Sequence, residues 1–448
     1  MVNTVETNLE SVNNNKKNMR AVALTSLAGT SIEWYDFFLY GTAAALVFPS
    51  AFFPESTPTM ALILSFGTFA FGFIARPVGG ILFGHFGDRV GRKRALVIAL
   101  WMMGLASTLI GLLPTFATIG IAAPILLSFL RFVQGLAIGG QWGGAMLLVT
   151  ESAPADQRGY YGAYAQAGAP AGVILANLAF ILVSSSMSEQ AFFDWGWRVP
   201  FLSSVVLIGI SMYVQLSMEE TAAFRALQLA KEKRLSEQGG RPEIRRSPII
   251  EALIKYPRRI ALAAGAFLSI QVAFYILIGF ILAYGSDIAG PAIPRDTLLW
   301  AVLIASIIQI PSQFWAASYS DRHGRRGIFM WGALLTAVWS FLLFPLVDTG
   351  NFWLVVLAIS GGLTFLGLMY GPQAAFFTEL FSTEVRYSGA SLGYQIGAIV
   401  GGAFAPTIAT ILWREYAIVW VSVYMAVASL LSLLSVKLLT ETFDSELN

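Results

Sequence analysis

Apolar and polar positions alternate along this chain in long blocks, with about 20 mostly apolar residues at a time, the length a helix needs to cross a bilayer. The pattern fits twelve times, near 21-48, 59-83, 94-113, 120-149, 158-184, 197-217, 259-284, 297-319, 327-347, 352-377, 387-412 and 416-439. It predicts an all-α membrane protein with twelve transmembrane helices in two six-helix bundles. Composition agrees: 56% of the 448 residues are hydrophobic, 12% are charged and the mean hydropathy is +0.68, against about 25% charged in a soluble protein.

Charge sets the orientation. Of 28 Lys and Arg, three (Arg198, Arg295 and Arg414) fall in loops on one side, two (Arg76 and Arg131) fall within spans, and the remaining 23 lie with the termini. The positive-inside rule then puts both termini in the cytoplasm, of a multi-pass protein in the cell membrane. The first twenty residues are polar and Asn-rich, a cytosolic tail and not a signal peptide. The single long polar interval, 218-258, divides six spans from six. The expected organisation is therefore tail 1-20, bundle 21-217, central loop 218-258, bundle 259-440 and tail 441-448.

The two halves repeat. GHFGDRVGRKR (84-94) recurs as ASYSDRHGRR (317-326) at an offset of 233, and TESAPADQRG (150-159) as TELFSTEVRY (378-387) at an offset of 228. Two landmarks at nearly one offset indicate a duplicated six-helix unit. The glycines of the first landmark let backbones approach, and Asp88 can cap the following helix or pair with Arg; the second copy at Asp321, Arg322 and Arg325 makes the pair a latch between half-bundles.

Four charges sit inside spans: Glu33 and Asp36 in the first, Arg76 in the second and Arg131 in the fourth. Each would cost about 2.5 to 3.5 kcal/mol at the bilayer centre if unpaired, so they face one another or a wet cavity. Glu33, Asp36 and Tyr40 follow i, i+3, i+7 spacing and share one stripe with Ser26 and Thr30. On the fourth span, Gln134 and Gln141 are a heptad apart near Arg131, flanked by the small-residue seam Gly135, Gly139 and Gly143. Arg keeps its charge whereas Asp and Glu titrate. The carboxylates therefore bind and release a coupling proton, Asp36 first and Glu33 second. Arg131, with Arg76 as its competitor, holds the anionic group of a substrate, and Trp34 and Tyr40 join the substrate-facing set. The second half offers neutral groups, each able to serve as an interhelical hydrogen-bond bridge and as a set suited to hydroxyls: Gln271 and Tyr275, Gln309 and Gln313, Tyr370, Gln373, Tyr394 and Gln395. Gly389, Gly393, Gly397 and Gly401, spaced by four, form a close-packing face on span eleven.

G-x-x-G-D-R-x-G-R-K-R at 84-94, its weaker copy and RFVQGLAIGGQWGG (131-144) resemble the signatures of the major facilitator superfamily. GTSIEWYDFFLYG (29-41), FIARPVGG (73-80) and WGWRVPFL (195-202) narrow the resemblance to its metabolite:proton symporter branch. FFPESTPTMA (52-61) and LLPTFATIGIAAPILL (112-127) look most like its shikimate transporters. The resemblance spans nearly the whole chain. It implies alternating access, proton symport of a small organic acid with a shikimate-like carboxylate as first guess, and a gating role for Gly84, Asp88, Arg89, Gly91, Arg92, Asp321, Arg322 and Arg325. The chain departs from the branch at Gln141, where relatives commonly carry Glu, which removes one titratable group.

Other classes fit less well. No Gly-Lys dipeptide is present, which excludes the phosphate-binding loop of a primary pump. Cysteine is absent and the two histidines, His85 and His323, both lie in the repeated loop motif, so no metal set is expected. The near balance of 28 basic and 26 acidic residues points to no nucleic acid. The expected partners are the bilayer, a small-molecule substrate and a proton, with no cofactor and a monomeric chain. A channel or receptor stays open as an alternative, as does a symporter of a zwitterionic osmoprotectant; against the latter, the tail ETFDSELN is too short for a C-terminal coiled coil.

Overall fold

The structure, a computed structural model, describes residues 2–90, 92–139, 146, 149–150, 152–217, 248–382 and 386–443, and of these 2–18, 84–90, 92–96, 211, 214–217, 248–250 and 387 by backbone alone. Among the described residues, twelve of the helices form the framework, in chain order. The first six are α1 (Val2–Leu46), α2 (Pro58–Val90), α3 (Arg92–Leu112), α4 (Ala122–Gly139), α5 (Arg158–Ser185) and α6 (Arg198–Ser217). The second six are α7 (Pro257–Tyr275), α8 (Arg295–His323), α9 (Arg325–Val347), α10 (Phe352–Glu379), α11 (Arg386–Gly397) and α12 (Val419–Leu438). Among the described residues no strand occurs, nine helical segments are long and apolar enough to cross a membrane, and Val97–Leu112 and Arg198–Ile210 are shorter apolar helices. The first span completes the twelve.

Local chemistry explains several ends. Asn351 caps α10, its side chain accepting the Trp353 and Leu354 N–H groups, and Pro257 opens α7 where no helical donor is needed. Gly324, at φ 97°, breaks the chain between α8 and α9. Two ends differ from the sequence expectation. Within 84–94 the described residues are helical, α2 running to Val90 and α3 beginning at Arg92, and no proline interrupts the stretch. Likewise α1 continues back through the polar residues before Ala21.

The packing repeats. In the first half α1 lies on α5, α2 on α4 and α3 on α6; in the second, α7 lies on α11, α8 on α10 and α9 on α12. The halves meet through α5 against α8 and α10, and through α2 against α11. Small residues set the tightest seams. A Cβ on Gly139 would lie 1.9 Å from the Arg76 carbonyl oxygen and one on Gly135 2.1 Å from that of Gly72, so α2 and α4 touch backbone to backbone. Gly397 and, just beyond α11, Gly401 approach α7 less tightly, a Cβ there lying 2.8 Å from the Ala264 carbonyl oxygen and 2.9 Å from the Gln271 Cβ, respectively. Large apolar side chains such as Trp101, Phe129, Trp331 and Leu430 point outward, as lipid contact requires.

Two helices are interrupted near the middle. The chain continues α7 through a π-helical turn, Ile276–Phe280, into Ile281–Ser286, and α11 through Ala398–Ala403 into Ala405–Glu415. Such turns leave backbone groups free to serve a site. Prolines do the same inside α2 (Pro77), α5 (Pro170), α8 (Pro311) and α10 (Pro372).

Candidate proton and substrate site

Asp36 lies inside the first half and is 1% exposed, whereas Glu33, one turn earlier, is only partly buried. The Ser204 hydroxyl of α6 donates to Asp36 Oδ1, and Tyr35 beside it donates to the Pro200 carbonyl (2.9 Å). No donor meets Asp36 Oδ2 at hydrogen-bond geometry, while the Ser107 hydroxyl of α3 acts on the carboxylate from nearby. Arg131 of α4, fully buried, acts on this carboxylate across the bundle. Its Nη1 donates to Gln134 Oε1 (3.0 Å), and Gln134 Nε2 donates to Ser107 Oγ of α3 (2.7 Å). The Arg131 guanidinium rests on the faces of Phe37, Tyr40 and Phe69 at 4.3, 4.3 and 4.7 Å, and Tyr40 is fixed by its hydroxyl donating to Thr68 (2.7 Å). Cation–π contact replaces part of the hydration that burial removes.

Arg76 of α2 is the second buried cation, 1% exposed. Phe37 and Phe73 stand 4.4 Å from its guanidinium carbon and Trp34 5.6 Å. Its Nε and Nη2 have no hydrogen-bond partner. The hydroxyls around it come from the other half: Tyr275 of α7, Tyr370 of α10 and Tyr394 of α11 all feel its charge. Arg76 thus meets hydroxyls from three helices of the other half, while Arg131, whose Nε and Nη2 are likewise unpartnered, acts on Tyr275 of that half as well as on Asp36.

The second half adds amides. Gln271, Gln309, Gln313, Gln373 and Gln395 are buried. Gln309 and Gln313 have neither amide atom partnered, and Gln271 Nε2, Gln373 Nε2 and Gln395 Oε1 are also orphaned. Orphaned buried amides are costly, by about 1 to 3 kcal/mol each, and invite an explanation. One amide does cross the halves: Gln166 of α5 donates to Gln373 Oε1 (2.8 Å) and to the Tyr370 carbonyl (3.3 Å). A cavity of about 20 Å³ lies between the halves, lined by Phe38, Thr42, Phe69, Val173, Tyr275 and Pro406 among others; that is room for about one water.

Both ends of the α5/α8 contact are fastened. At one end Asp321 of α8 accepts the backbone N–H groups of Gly159 and Tyr160, both at 2.8 Å, at the start of α5. Arg325 donates to Asp321 (2.5 Å) and to Glu379 of α10 (3.1 Å), which also accepts the Thr442 hydroxyl (2.7 Å). At the other end Ser184 of α5 donates to Asp296 of α8 (2.9 Å), and Arg295 covers Phe192 at 4.2 Å.

Arg322 is exposed. Several other expected site residues are not placed by their side chains. Gln141 and Gly91 lie outside the described residues, and Gly84, Asp88, Arg89 and Arg92 lie where only the backbone is described. Conversely, Ser107, Ser204, Gln166 and Glu379 hold key contacts that the sequence reading did not single out. Glu379 stood in the repeated TELFSTEVRY landmark, which was a signal; the serines carried none.

The sugar (and other) transporter family matches residues 21–444. The inner membrane metabolite transport protein YhjE of Escherichia coli K12 is 42% identical over 429 residues, 94% of each chain. The shikimate transporter of the same organism is 40% identical over 439 residues, 94% of this chain and 95% of that one. The proline/betaine transporter of Escherichia coli K12 is 29% identical over 432 residues, 96% of this chain and 84% of that one. Among solved structures, the proton:xylose symporter XylE bound to 6-bromo-6-deoxy-D-glucose has a TM-score of 0.72 over 95% of this chain and 97% of that one, at 16% identity. Twelve helices in two six-helix bundles, a family match from 21 to 444 and relatives that are transporters leave one assignment: the chain belongs to the sugar (and other) transporter family, a multi-pass membrane transporter of the major facilitator superfamily.

Proposed function

We propose that the protein is a proton-coupled symporter that imports a small hydroxylated organic acid, shikimate-like, by alternating access, with both termini cytoplasmic and bundles at 21-217 and 259-440. The observation that carries this reading is Arg76. A buried guanidinium with Nε and Nη2 unpartnered, facing three tyrosines of the opposite half, suits a carboxylate received between the bundles. The orphaned amides of Gln309, Gln313 and Gln271 would then meet hydroxyls.

Coupling follows from charge. With Asp36 ionised, Asp36, Arg76 and Arg131 carry one net positive charge; a proton on Asp36 makes it two and strengthens the pull on an anion. By linkage the anion raises proton affinity by the same factor. The 40% identical relative named as a shikimate transporter supports the substrate class. A zwitterionic osmoprotectant is less well served, because the ring faces that would take a quaternary ammonium, Phe37, Phe73, Tyr40 and Phe69, already hold guanidinium groups.

The test is uptake by proteoliposomes of labelled shikimate, with other small carboxylates and betaine as competitors, with and without an inward proton gradient. Gradient-stimulated, saturable uptake competed by hydroxylated acids is expected. Uptake indifferent to the gradient, or competed by betaine and not by acids, would overturn the reading.

A further inference from the structure

We propose that Gln134 and Ser107 form a relay that carries the charge state of Asp36 to the Arg131 guanidinium, which makes Gln134 a positioning residue and not a substrate ligand. The inference rests on Asp36 as the proton-binding carboxylate.

The orientation of the amide is forced. A guanidinium only donates, so Gln134 turns Oε1 to Arg131 Nη1 (3.0 Å) and must offer Nε2 to Ser107 Oγ (2.7 Å). Ser107 therefore accepts from Gln134 and has one proton to give. It gives that proton to the Met103 carbonyl (3.0 Å), one turn back on its own helix. The Ser107 hydroxyl also acts on the Asp36 carboxylate, although no donor meets Oδ2 at hydrogen-bond geometry while the Ser107 proton points to Met103. All four side chains are at most 1% exposed.

Two positions of the Ser107 proton follow. A charged acceptor binds a hydroxyl about twice as strongly as a neutral carbonyl does, so ionised Asp36 draws the proton from Met103 to Oδ2. Donation to a carboxylate makes Ser107 Oγ a better acceptor for Gln134, and the polarised amide becomes a better acceptor for Arg131. Protonation of Asp36 reverses each step and loosens the hold on Arg131. The groups that act on Asp36 are Arg131 from α4, Tyr35 from its own helix and the hydroxyls of Ser107 from α3 and Ser204 from α6. Gln134 touches none of the carboxylate atoms, which separates the relay from a direct contact.

The experiment needs no substrate. In the full-length protein reconstituted in lipid, the protonated-carboxyl stretch of Asp36 is titrated by infrared spectroscopy, the band being assigned by its loss in Asp36→Asn. Gln134→Met, which nearly keeps the volume, should raise the proton affinity of Asp36 about two- to tenfold. Ser107→Ala should raise it by a similar factor, Ser107→Thr should restore it, and Ser107→Ala with Gln134→Met should do no more than Ser107→Ala alone. An unchanged midpoint in Gln134→Met, or additive shifts in the double variant, overturns the relay while leaving the symport reading intact. An Asp36 that never takes up a proton overturns both.

Discussion

Asp321 Oδ1 accepts the Gly159 backbone N–H at 2.8 Å, a bond between α8 of one half and α5 of the other. Together with the Tyr160 N–H on Oδ2, it places a carboxylate on the positive end of α5. Arg325, itself paired with Glu379, holds that carboxylate from within the second half. The fastening therefore depends on the charge of one side chain.

Asp321→Asn should open this end. Charge-assisted hydrogen bonds are worth about 1.5 to 3 kcal/mol, so the closed-to-open ratio should fall roughly ten- to hundredfold. The chain has no cysteine, so a single Ala317→Cys, buried beside Gly159, reports the change through its alkylation rate. An alkylation rate unaltered by Asp321→Asn would show that the bond does not hold the gate.

Asp36→Asn should abolish accumulation driven by a pH gradient while exchange of labelled for unlabelled substrate continues. Asn keeps the shape and can still accept from Ser204, yet it cannot titrate. Glu33 is partly exposed and should tolerate Glu33→Gln with coupling retained. Gradient-driven uptake in Asp36→Asn that matches the parent protein would move the proton elsewhere.

Much of this site was legible in the sequence, for a reason that also marks where legibility stopped. A charge in an apolar run stands out whatever its partner, so Asp36, Arg76 and Arg131 announce themselves. Periodicity alone could not rank Glu33 against Asp36, since i and i+3 share a face and burial decides only when the neighbouring helix is placed. Ser204, 168 residues from Asp36, is an ordinary polar residue until folding brings α6 against α1. Gln166 was invisible for the same reason, its partner Gln373 lying 207 residues away. The π-helical turns of α7 and α11 leave no residue signature. The repeat, by contrast, foretold the paired packing of the halves because both landmarks fall at helix ends.

The two arginines should separate by phenotype. Arg76→Lys removes the fork aimed at the opposite half, and it should weaken carboxylate binding about ten- to hundredfold with the pH dependence of transport preserved. Arg131→Lys should disturb the pH dependence more than the affinity, since its Nη1 serves Gln134 and its ring contacts hold it by Asp36. Binding measured by calorimetry at two pH values on each variant decides the matter. Wild-type affinity in a well-folded Arg76→Lys would mean the carboxylate sits elsewhere.

Gln309 offers a prediction in which stability and function move in opposite directions. Both of its amide atoms are buried and unpartnered, as are those of Gln313 one turn on, with Pro311 between them. An orphaned buried amide is a cost that an apolar side chain of similar volume removes, so Gln309→Met should raise the melting temperature of the substrate-free protein or leave it unchanged. If the amide waits for a substrate hydroxyl, the same change should lower affinity for shikimate by about two- to tenfold, one neutral hydrogen bond. An analogue lacking the hydroxyl concerned should bind the parent protein and Gln309→Met equally. Reduced stability together with unaltered affinity would instead make Gln309 a structural bridge whose partner forms only in another state of the cycle. The gain in stability is the informative half of the experiment, because a residue retained at a cost to the fold is one whose partner arrives from outside it.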